Sequence, residues 1–195
     1  IVEEANRWGR KTCAHAHGTE AIKMAIKAGV ASVEHGSMLD TECLQLMKEK
    51  GTYYDPTVFV GDYVVKEFAK KGFPEKILNK ARMITPVVAK SFSDAVKAGI
   101  KIAFGTDAGV FPHGLNARQF AYMVRYGLTP MQAIQTATIN AADLLGWKGK
   151  VGSISKGKFA DIIAVERNPL DDISILEKVA FVMKGGVVYK NEPLQ

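Results

Sequence analysis

The feature that most constrains this chain of 195 residues is an alternation of short apolar segments with helix-like segments. Four apolar segments are predicted as β-strands, at residues 11–16, 31–36, 52–58 and 101–107. The helices between them end at Gly29, Gly51 and Gly99, and the longest, over residues 60–98, is interrupted at residues 72–74. Strand–helix repeats in succession form parallel strands joined by right-handed crossovers. The pattern therefore predicts an α/β fold, either a doubly wound sheet or part of a (β/α)₈ barrel.

Residues with chemically useful side chains stand where the predicted strands end. His15, His35 and Asp107 each close a strand, and Tyr53, Tyr54 and Asp55 lie near the end of another. In a (β/α)₈ barrel the reactive side chains cluster at the carboxyl ends of successive strands. This placement favours the barrel over the doubly wound sheet.

The spacing of two histidines predicts a metal site. His15 and His35 are 20 residues apart, about one strand–helix–strand step, so they can lie side by side on adjacent strands. Imidazole together with the Asp107 carboxylate suits a divalent metal, and zinc is the first candidate. The alternative for each histidine is a structural residue that hydrogen-bonds at a strand end.

The pattern changes after Gly149, where short strands alternate with glycine-rich turns. We therefore predict two domains. Residues 1–149 form the barrel part, and residues 150–195 form part of a small β-domain. Thr129 and Pro130 are predicted to start the last helix segment of the barrel part, as N-cap and first helical residue.

Composition bears on partners and location. The formal net charge is +6, but the lysines are scattered and many stand beside glutamates, so nucleic acid is not an expected partner. No apolar run has the length of a membrane span, and no membrane association is expected. Cys13 and Cys43 form no metal-like pair and are interpreted as buried small apolar residues. A cytoplasmic location is the resulting expectation.

The first residues, which include no methionine, already have a helical pattern, and we expect this chain to be part of a longer polypeptide.

Several segments together resemble the C-terminal half of the amidohydrolase superfamily. They are CAHAHG, SVEHGS, YYDPT, FGTDAG, GLTPMQAIQTATINAADLLG, VGSISKGKFADIIAV and NPLDDI. The chain is most similar to the branch that contains imidazolonepropionase-like proteins, Xaa-Pro dipeptidases and arginine- or lysine-releasing dipeptidases. The resemblance covers essentially the whole chain and implies strands 5–8 of a (β/α)₈ TIM barrel, followed by part of a small β-sandwich domain.

The resemblance also implies roles for single residues. His15 corresponds to the metal ligand of the fifth barrel strand and His35 to that of the sixth. Asp107 corresponds to the aspartate of the eighth strand, which binds metal and moves a proton during amide hydrolysis. The resemblance implies one or two bound divalent ions, with zinc as the first candidate. The family's remaining ligands come from its N-terminal half, so we expect no turnover from this segment alone.

Four further residues are predicted near the substrate. His17 follows His15 by two positions and, in the family, that place lies near substrate, although His17 could instead cap the next helix. Tyr53 and Tyr54 alternate along their strand, so one faces the barrel interior and the other the helices. Either hydroxyl could stabilise an oxyanion or simply belong to a core aromatic residue.

His113, in the loop after the last strand, is predicted to contact substrate or a neighbouring side chain. Asp55 is interpreted as a turn residue before proline, with recognition of a basic substrate as the alternative.

Three functions remain open at this point. The first is a dipeptidase or carboxypeptidase that releases a C-terminal residue, either Pro or Arg/Lys. The second is a cyclic-amide hydrolase like imidazolonepropionase, and the third is a non-catalytic scaffold. The expected partners are a small peptide substrate, the missing N-terminal half of the same protein, and further copies in a homo-oligomer.

Overall fold

The structure is a computed structural model that describes residues 1–193. It contains two compact units, Ile1–His113 and a second that begins at Gly114. The domain boundary predicted at residues 149 and 150 falls inside the second unit. The site described below is built from the first unit.

The first unit alternates helices with strands, and the predicted α/β class is confirmed. Its elements are α1 (Val2–Arg7), β1 (Cys13–Ala16), α2 (Thr19–Ala28), β2 (Ser32–His35), α3 (Thr41–Lys50), β3 (Tyr53–Asp55), α4 (Val60–Tyr63), a π-helix (Val64–Phe68) and α5 (Glu75–Ala98). The three strands are parallel and adjacent in the order β1–β2–β3. Gly29 and Gly51 end α2 and α3 in the left-handed region, at φ 91° and 69°.

The fourth predicted strand, residues 101–107, is reduced to a single parallel bridge between Ile102 and Tyr54. The Tyr54 N–H donates to the Lys101 carbonyl at 2.8 Å, and the Ala103 N–H donates to the Tyr54 carbonyl at 3.0 Å. Strand pairing does not continue to the end of the predicted segment, where Asp107 has a φ of 53°. The segment still lies beside β3, so its polar end follows the same sheet edge as His35.

The strand register decides which side chains share a face of the sheet. Glu34 pairs with both His15 and Asp55, so these three lie on one face. Tyr54 lies on the other face, towards the helices, where its ring centroid is 6.4 Å from that of Phe92 in α5. The core of this layer contains fully buried apolar residues from α2, β2, α3, β3 and α5: Ile22, Ile26, Val33, Met47, Tyr54 and Phe92.

Up to residue 193, the second unit contains five helical segments and a three-stranded antiparallel sheet. In chain order its elements are α6 (Arg118–Arg125), α7 (Pro130–Gln135), a π-helix (Thr136–Asn140), α8 (Ala141–Leu144), β4 (Ile162–Ala164), a 3₁₀-helix (Ile173–Glu177), β5 (Phe181–Lys184) and β6 (Val187–Asn191). Thr129 caps α7 as predicted, because its hydroxyl accepts from the Gln132 N–H at 3.2 Å and the Gln132 side chain accepts from the Thr129 N–H.

Within residues 1–193, no helix combines the length and the apolar character needed to cross a membrane.

Candidate metal centre and active site

Three imidazole rings meet at the carboxyl edge of the β1–β2 pair. His15 lies on β1, His17 follows the end of β1, and His35 ends β2. Their ring centroids are 4.5 to 4.8 Å apart. One nitrogen from each ring can be chosen so that all three lie within 4.8 Å of one another. Such a cluster of nitrogen donors offers three ligands to one metal ion.

Two of the rings are oriented by hydroxyl groups. His17 Nδ1 lies 2.7 Å from Ser37 Oγ, and His35 Nδ1 lies 2.9 Å from Thr57 Oγ1. When Nδ1 carries the proton it donates to the hydroxyl, and Nε2 is left with its lone pair. Partners of this kind fix the tautomer and the orientation of metal-binding histidines.

The electrostatics of the cluster favour the neutral form of two of its rings, those of His35 and His17. Burial lowers the pKa of His35, and the nearby His15 lowers it further, against the opposing effect of Asp107 and Glu34. Burial also lowers the pKa of His17, with additional contributions from His35, His15 and Lys80, opposed by Asp107. Since only a neutral imidazole can bind a metal, these lowered pKa values extend to more acidic pH the range in which His17 and His35 can do so.

The backbone is unusual at two of the predicted ligands. Among residues 1–193, His35 and Asp107 are the non-glycine residues with positive φ, at 67° and 53°. This region is disfavoured for residues that carry a Cβ, and such conformations concentrate at functional sites. The coincidence with two residues singled out by their chemistry supports a functional role for both.

The donor set fits a zinc ion, with one difference from the predicted ligands. The predicted set was His15, His35 and Asp107, whereas the tight group in the structure contains His17 together with His15 and His35. Asp107 lines the same cavity but lies outside this group. His17, predicted to contact substrate, is therefore also placed where it could bind metal. Three imidazoles with a carboxylate nearby suit zinc by the softness of the donors.

The cavity beside this cluster has a volume of about 330 Å³, and its lining has a polar part and a largely apolar part. The polar part consists of His15, His17, His35, Ser37, Thr57 and Asp107. The largely apolar part consists of Val58, Val60, Gly61, Val64, Ala81, Ile84, Thr85, Val88 and Val110. The size is at the lower end of the range for small-molecule sites.

A carboxyl pair next to the cluster was not anticipated from the sequence. Glu34 and Asp55 face each other across β2 and β3, and Ser32 Oγ donates to Glu34 Oε1 at 2.5 Å. Burial raises the pKa of Asp55, and the charge and hydrogen bond of Glu34 raise it further, to about 8. The backbone N–H of Gly105, which donates to Asp55, lowers this pKa and so opposes the other effects. At neutral pH the pair therefore holds a proton. The strict period of two along each strand was the signal, since it places both residues on one face.

The earlier interpretation of Asp55 as a turn residue is wrong, because Asp55 is the last residue of β3 and belongs to this carboxyl pair. Its Oδ1 is buried without a hydrogen-bond partner among residues 1–193. Cys13, expected to be buried, is exposed, whereas Cys43 is buried and burial raises the pKa of its thiol to about 11.

The structure does not bring the remaining predicted substrate residues to this cavity. Tyr54 is fully buried on the helix side of the sheet, where burial raises the pKa of its hydroxyl. Tyr53 is buried on the opposite face, and Lys101 Nζ lies 5.4 Å from its ring centroid. His113 is exposed at the end of the first unit. None of the three is part of the cavity lining. Their roles in substrate binding stay predictions.

Comparison with known proteins identifies the family. A model described as "Amidohydrolase family" matches residues 1–189. The chain belongs to the amidohydrolase family. The resemblance inferred from the sequence segments is confirmed.

Individual amidohydrolases are similar over nearly the whole chain. A solved Xaa-Pro dipeptidase with methionine bound in its active site is 48% identical and superposes with a TM-score of 0.91, covering 98% of this chain and 47% of the dipeptidase chain. A prolidase complexed with N-methylphosphonate-L-proline is 29% identical with a TM-score of 0.89, covering 98% of this chain and 48% of the prolidase chain. The ochratoxinase of Aspergillus niger is 40% identical over 195 residues, covering 97% of this chain and 40% of the enzyme. The chain thus spans less than half the length of these relatives.

Proposed function

We propose that this amidohydrolase hydrolyses the amide bond of a small peptide with the help of a divalent metal, for which zinc is the first candidate. The observation that carries the proposal is the cluster of His15, His17 and His35, which shares one cavity with Asp107. A divalent metal bound there supplies Lewis-acid chemistry and lowers the pKa of water. The similarity to a Xaa-Pro dipeptidase and to a prolidase supports a peptide bond as the bond that is cut.

Within this proposal the chain's own residues have separate tasks. His15 and His35 hold the metal, while His17 either completes the ligand set or contacts the substrate carbonyl. Asp107 takes a proton from the attacking water and delivers it to the leaving nitrogen. Ser37 and Thr57 fix the rings of His17 and His35, so that the cluster needs little rearrangement before reaction.

The reaction is proposed to release the C-terminal residue of a dipeptide or short peptide. Proline at that position is supported by the names of the two solved relatives, and the methionine bound in one of them shows that an apolar amino acid fits a related site. The predicted alternative of Arg or Lys release, the cyclic-amide hydrolase and the non-catalytic scaffold give different outcomes in the experiment below.

The complete protein is proposed to contain more than this chain. We assign the three parallel strands and the segment bridged at Ile102 to strands 5–8 of a (β/α)₈ barrel, and the sheet β4–β5–β6 to part of a small β-domain; the parallel order of the strands supports the first assignment. The coverage of less than half of each relative supports an N-terminal half that supplies the remaining ligands. A homo-oligomer and a cytoplasmic location complete the proposal.

The test is a hydrolysis assay of the complete protein with Xaa-Pro, Xaa-Arg and cyclic-imide substrates, before and after treatment with a chelator. We expect dipeptide hydrolysis that is lost with the chelator and restored by Zn²⁺. Asp107→Asn should lower kcat at least about 100-fold, in the range of a lost general acid–base. Asp171→Asn, which changes an exposed carboxylate of the second unit, should leave kcat unchanged. Turnover that survives chelation would overturn the metal-dependent mechanism, and metal binding without turnover of any substrate would favour the scaffold.

A further inference from the structure

Most of the apolar lining of the cavity comes from consecutive helical segments of the first unit. Val60, Gly61 and Val64 come from α4 and the start of the π-helix, and four more lining residues come from α5: Ala81, Ile84, Thr85 and Val88. The wall therefore consists of aliphatic side chains, one glycine and one threonine.

The single hydroxyl in this wall already donates a hydrogen bond within the protein. Thr85 Oγ1 donates to the Ala81 carbonyl at 2.7 Å, within α5. The two hydroxyls in the polar part of the lining, Ser37 Oγ and Thr57 Oγ1, lie against the rings of His17 and His35. Among the lining residues, Asp107 is the one carboxylate. A charged group placed against the apolar residues of α4, the π-helix and α5 would thus lose water without gaining a partner from them.

We propose that this wall, which we call the valine wall (Val60, Val64, Ala81, Ile84 and Val88), makes the site selective for a substrate with an apolar side chain over one with a cationic or anionic side chain. The inference rests on the proposed function, since it concerns the substrate of that same site. An aliphatic or thioether side chain gains from burial against the wall. An ammonium or guanidinium group would be desolvated without an opposite charge, which is strongly unfavourable.

The geometry between the two helical segments keeps the wall in place. A Cβ built on Gly61 would lie 2.3 Å from Thr85 Oγ1, so the α4 backbone packs directly on α5 at this point. The absence of a side chain at position 61 allows this close approach. Gly61 therefore allows the helical segments that carry the valine wall to pack closely at this point.

The first part of the experiment uses the complete, unmodified protein loaded with Zn²⁺ and two panels of dipeptides. In the first panel the N-terminal residue is varied, and in the second the C-terminal residue, with Leu, Met, Phe, Lys, Arg and Glu at each. In the panel whose varied residue occupies the valine wall, we expect kcat/KM for apolar residues to exceed that for Lys, Arg and Glu at least about tenfold, as in other apolar pockets.

The second part changes the wall with matched controls. Val88→Asp should reduce kcat/KM for the apolar substrates at least about tenfold and raise it for the Lys and Arg substrates. Val88→Asn should reduce activity on the apolar substrates without the gain on Lys and Arg, because it adds polarity without charge. Val87→Asp is the positional control, since Val87 is the neighbouring residue of α5, is 40% exposed and is not part of the lining. It should leave the preference unchanged.

The outcomes separate this inference from the proposed function. No chelator-sensitive hydrolysis of any dipeptide would overturn the proposed function itself. Hydrolysis in which Lys or Arg substrates equal or exceed the apolar ones in both panels would overturn the valine-wall inference and leave the function in place. If Val88→Asp does not fold, the panels on the unmodified protein still decide the inference. An unchanged preference in a folded Val88→Asp variant would also overturn it.

Discussion

At the scale of single residues, two of the proposed metal-site residues occupy a backbone conformation that costs free energy. His35 and Asp107 have positive φ values, and such residues persist only where the surroundings enforce them, at a cost of about 1–3 kcal/mol each. At His35 the enforcement is visible in the next residue. The Gly36 N–H donates to the Ala16 carbonyl at 3.0 Å, and a Cβ on Gly36 would lie 2.6 Å from the Tyr54 ring. Packing around the turn therefore holds the imidazole at the cluster.

Two variants can separate the free-energy cost of the His35 backbone conformation from the proposed role of its side chain in metal binding. Asparagine tolerates positive φ better than alanine does, so His35→Asn should be more stable than His35→Ala by roughly 1 kcal/mol. Both variants should retain metal at least about tenfold less well than the unmodified protein, because both lose a donor. The measurements are urea unfolding in the presence of a chelator and the metal content after dialysis. Equal stability of the two variants would show that the backbone conformation is not strained.

At the scale of elements, the Asp107 segment is joined to β3 through one close contact. Gly105 donates its N–H to Asp55, and a Cβ on Gly105 would lie 2.1 Å from Asp55 Oδ1. The segment thus reaches the sheet edge only because residue 105 has no side chain. The carboxyl pair of Glu34 and Asp55 thus connects β2, β3 and this segment on the face of the sheet that carries His15.

A methyl group at Gly105 should disturb this connection. Gly105→Ala is expected to lower the free energy of unfolding by about 1–3 kcal/mol, as for other overpacked sites, and to reduce metal retention because Asp107 shifts. Gly149→Ala is the matched control, since no atom lies within 4 Å of a Cβ at that position, and it should change stability by less than about 0.5 kcal/mol. A Gly105→Ala variant as stable as the control would contradict the contact.

Helices α2 and α3 are joined by an ion cluster around one lysine. Lys23 Nζ lies 2.7 Å from Glu42, 2.8 Å from Asp40 and 3.4 Å from Glu20. Its side chain is 11% exposed, whereas that of Lys27, which pairs with Glu42 at 3.2 Å, is 57% exposed. Asp40 also caps α3, and its carboxylate accepts from the Cys43 N–H at 2.8 Å.

Removal of Lys23 should therefore destabilise the helix pair more than removal of Lys27. Lys23→Ala leaves three carboxylates without their common partner, while Lys27→Ala removes one exposed contact. Thermal unfolding is the measurement, and the Tm of Lys23→Ala should be the lower of the two. Indistinguishable Tm values would mean that the cluster is fully compensated by solvent.

At the scale of the whole molecule, the carboxyl pair links stability to pH. In the unfolded chain Asp55 loses its proton near the ordinary carboxyl pKa, but in the folded protein burial and the neighbouring Glu34 raise the pKa of Asp55 well above that value. The folded state therefore binds more protons between these values, and the contribution of Asp55 to stability decreases as the pH rises through this window. Below the ordinary carboxyl pKa the contribution is fully present.

The corresponding test compares urea unfolding of the unmodified protein with that of Asp55→Asn at several pH values from 5 to 8. Relative to the variant, the unmodified protein should lose stability with rising pH by at most about 1.4 kcal/mol per pH unit. Because both proteins retain His15, His17 and His35, the difference between them removes the effect of histidine titration. Parallel pH profiles would show that Asp55 ionises normally in the folded protein.

The sequence by itself determined the α/β class, the parallel order of the first three strands, the start of α7 and the family. These features depend on local signals, namely the period of apolar residues, glycine stops, a capping pair and contiguous segments that match relatives. Four features required the tertiary structure: that His17 joins the histidine cluster, that Asp55 lies beside Glu34, that Tyr54 and not Tyr53 faces the helices, and that helical segments form an apolar wall. The period of two along a strand gives only which residues share a face. The strand register, the backbone turn at His35 and the contacts between residues distant in sequence are not encoded in a local pattern.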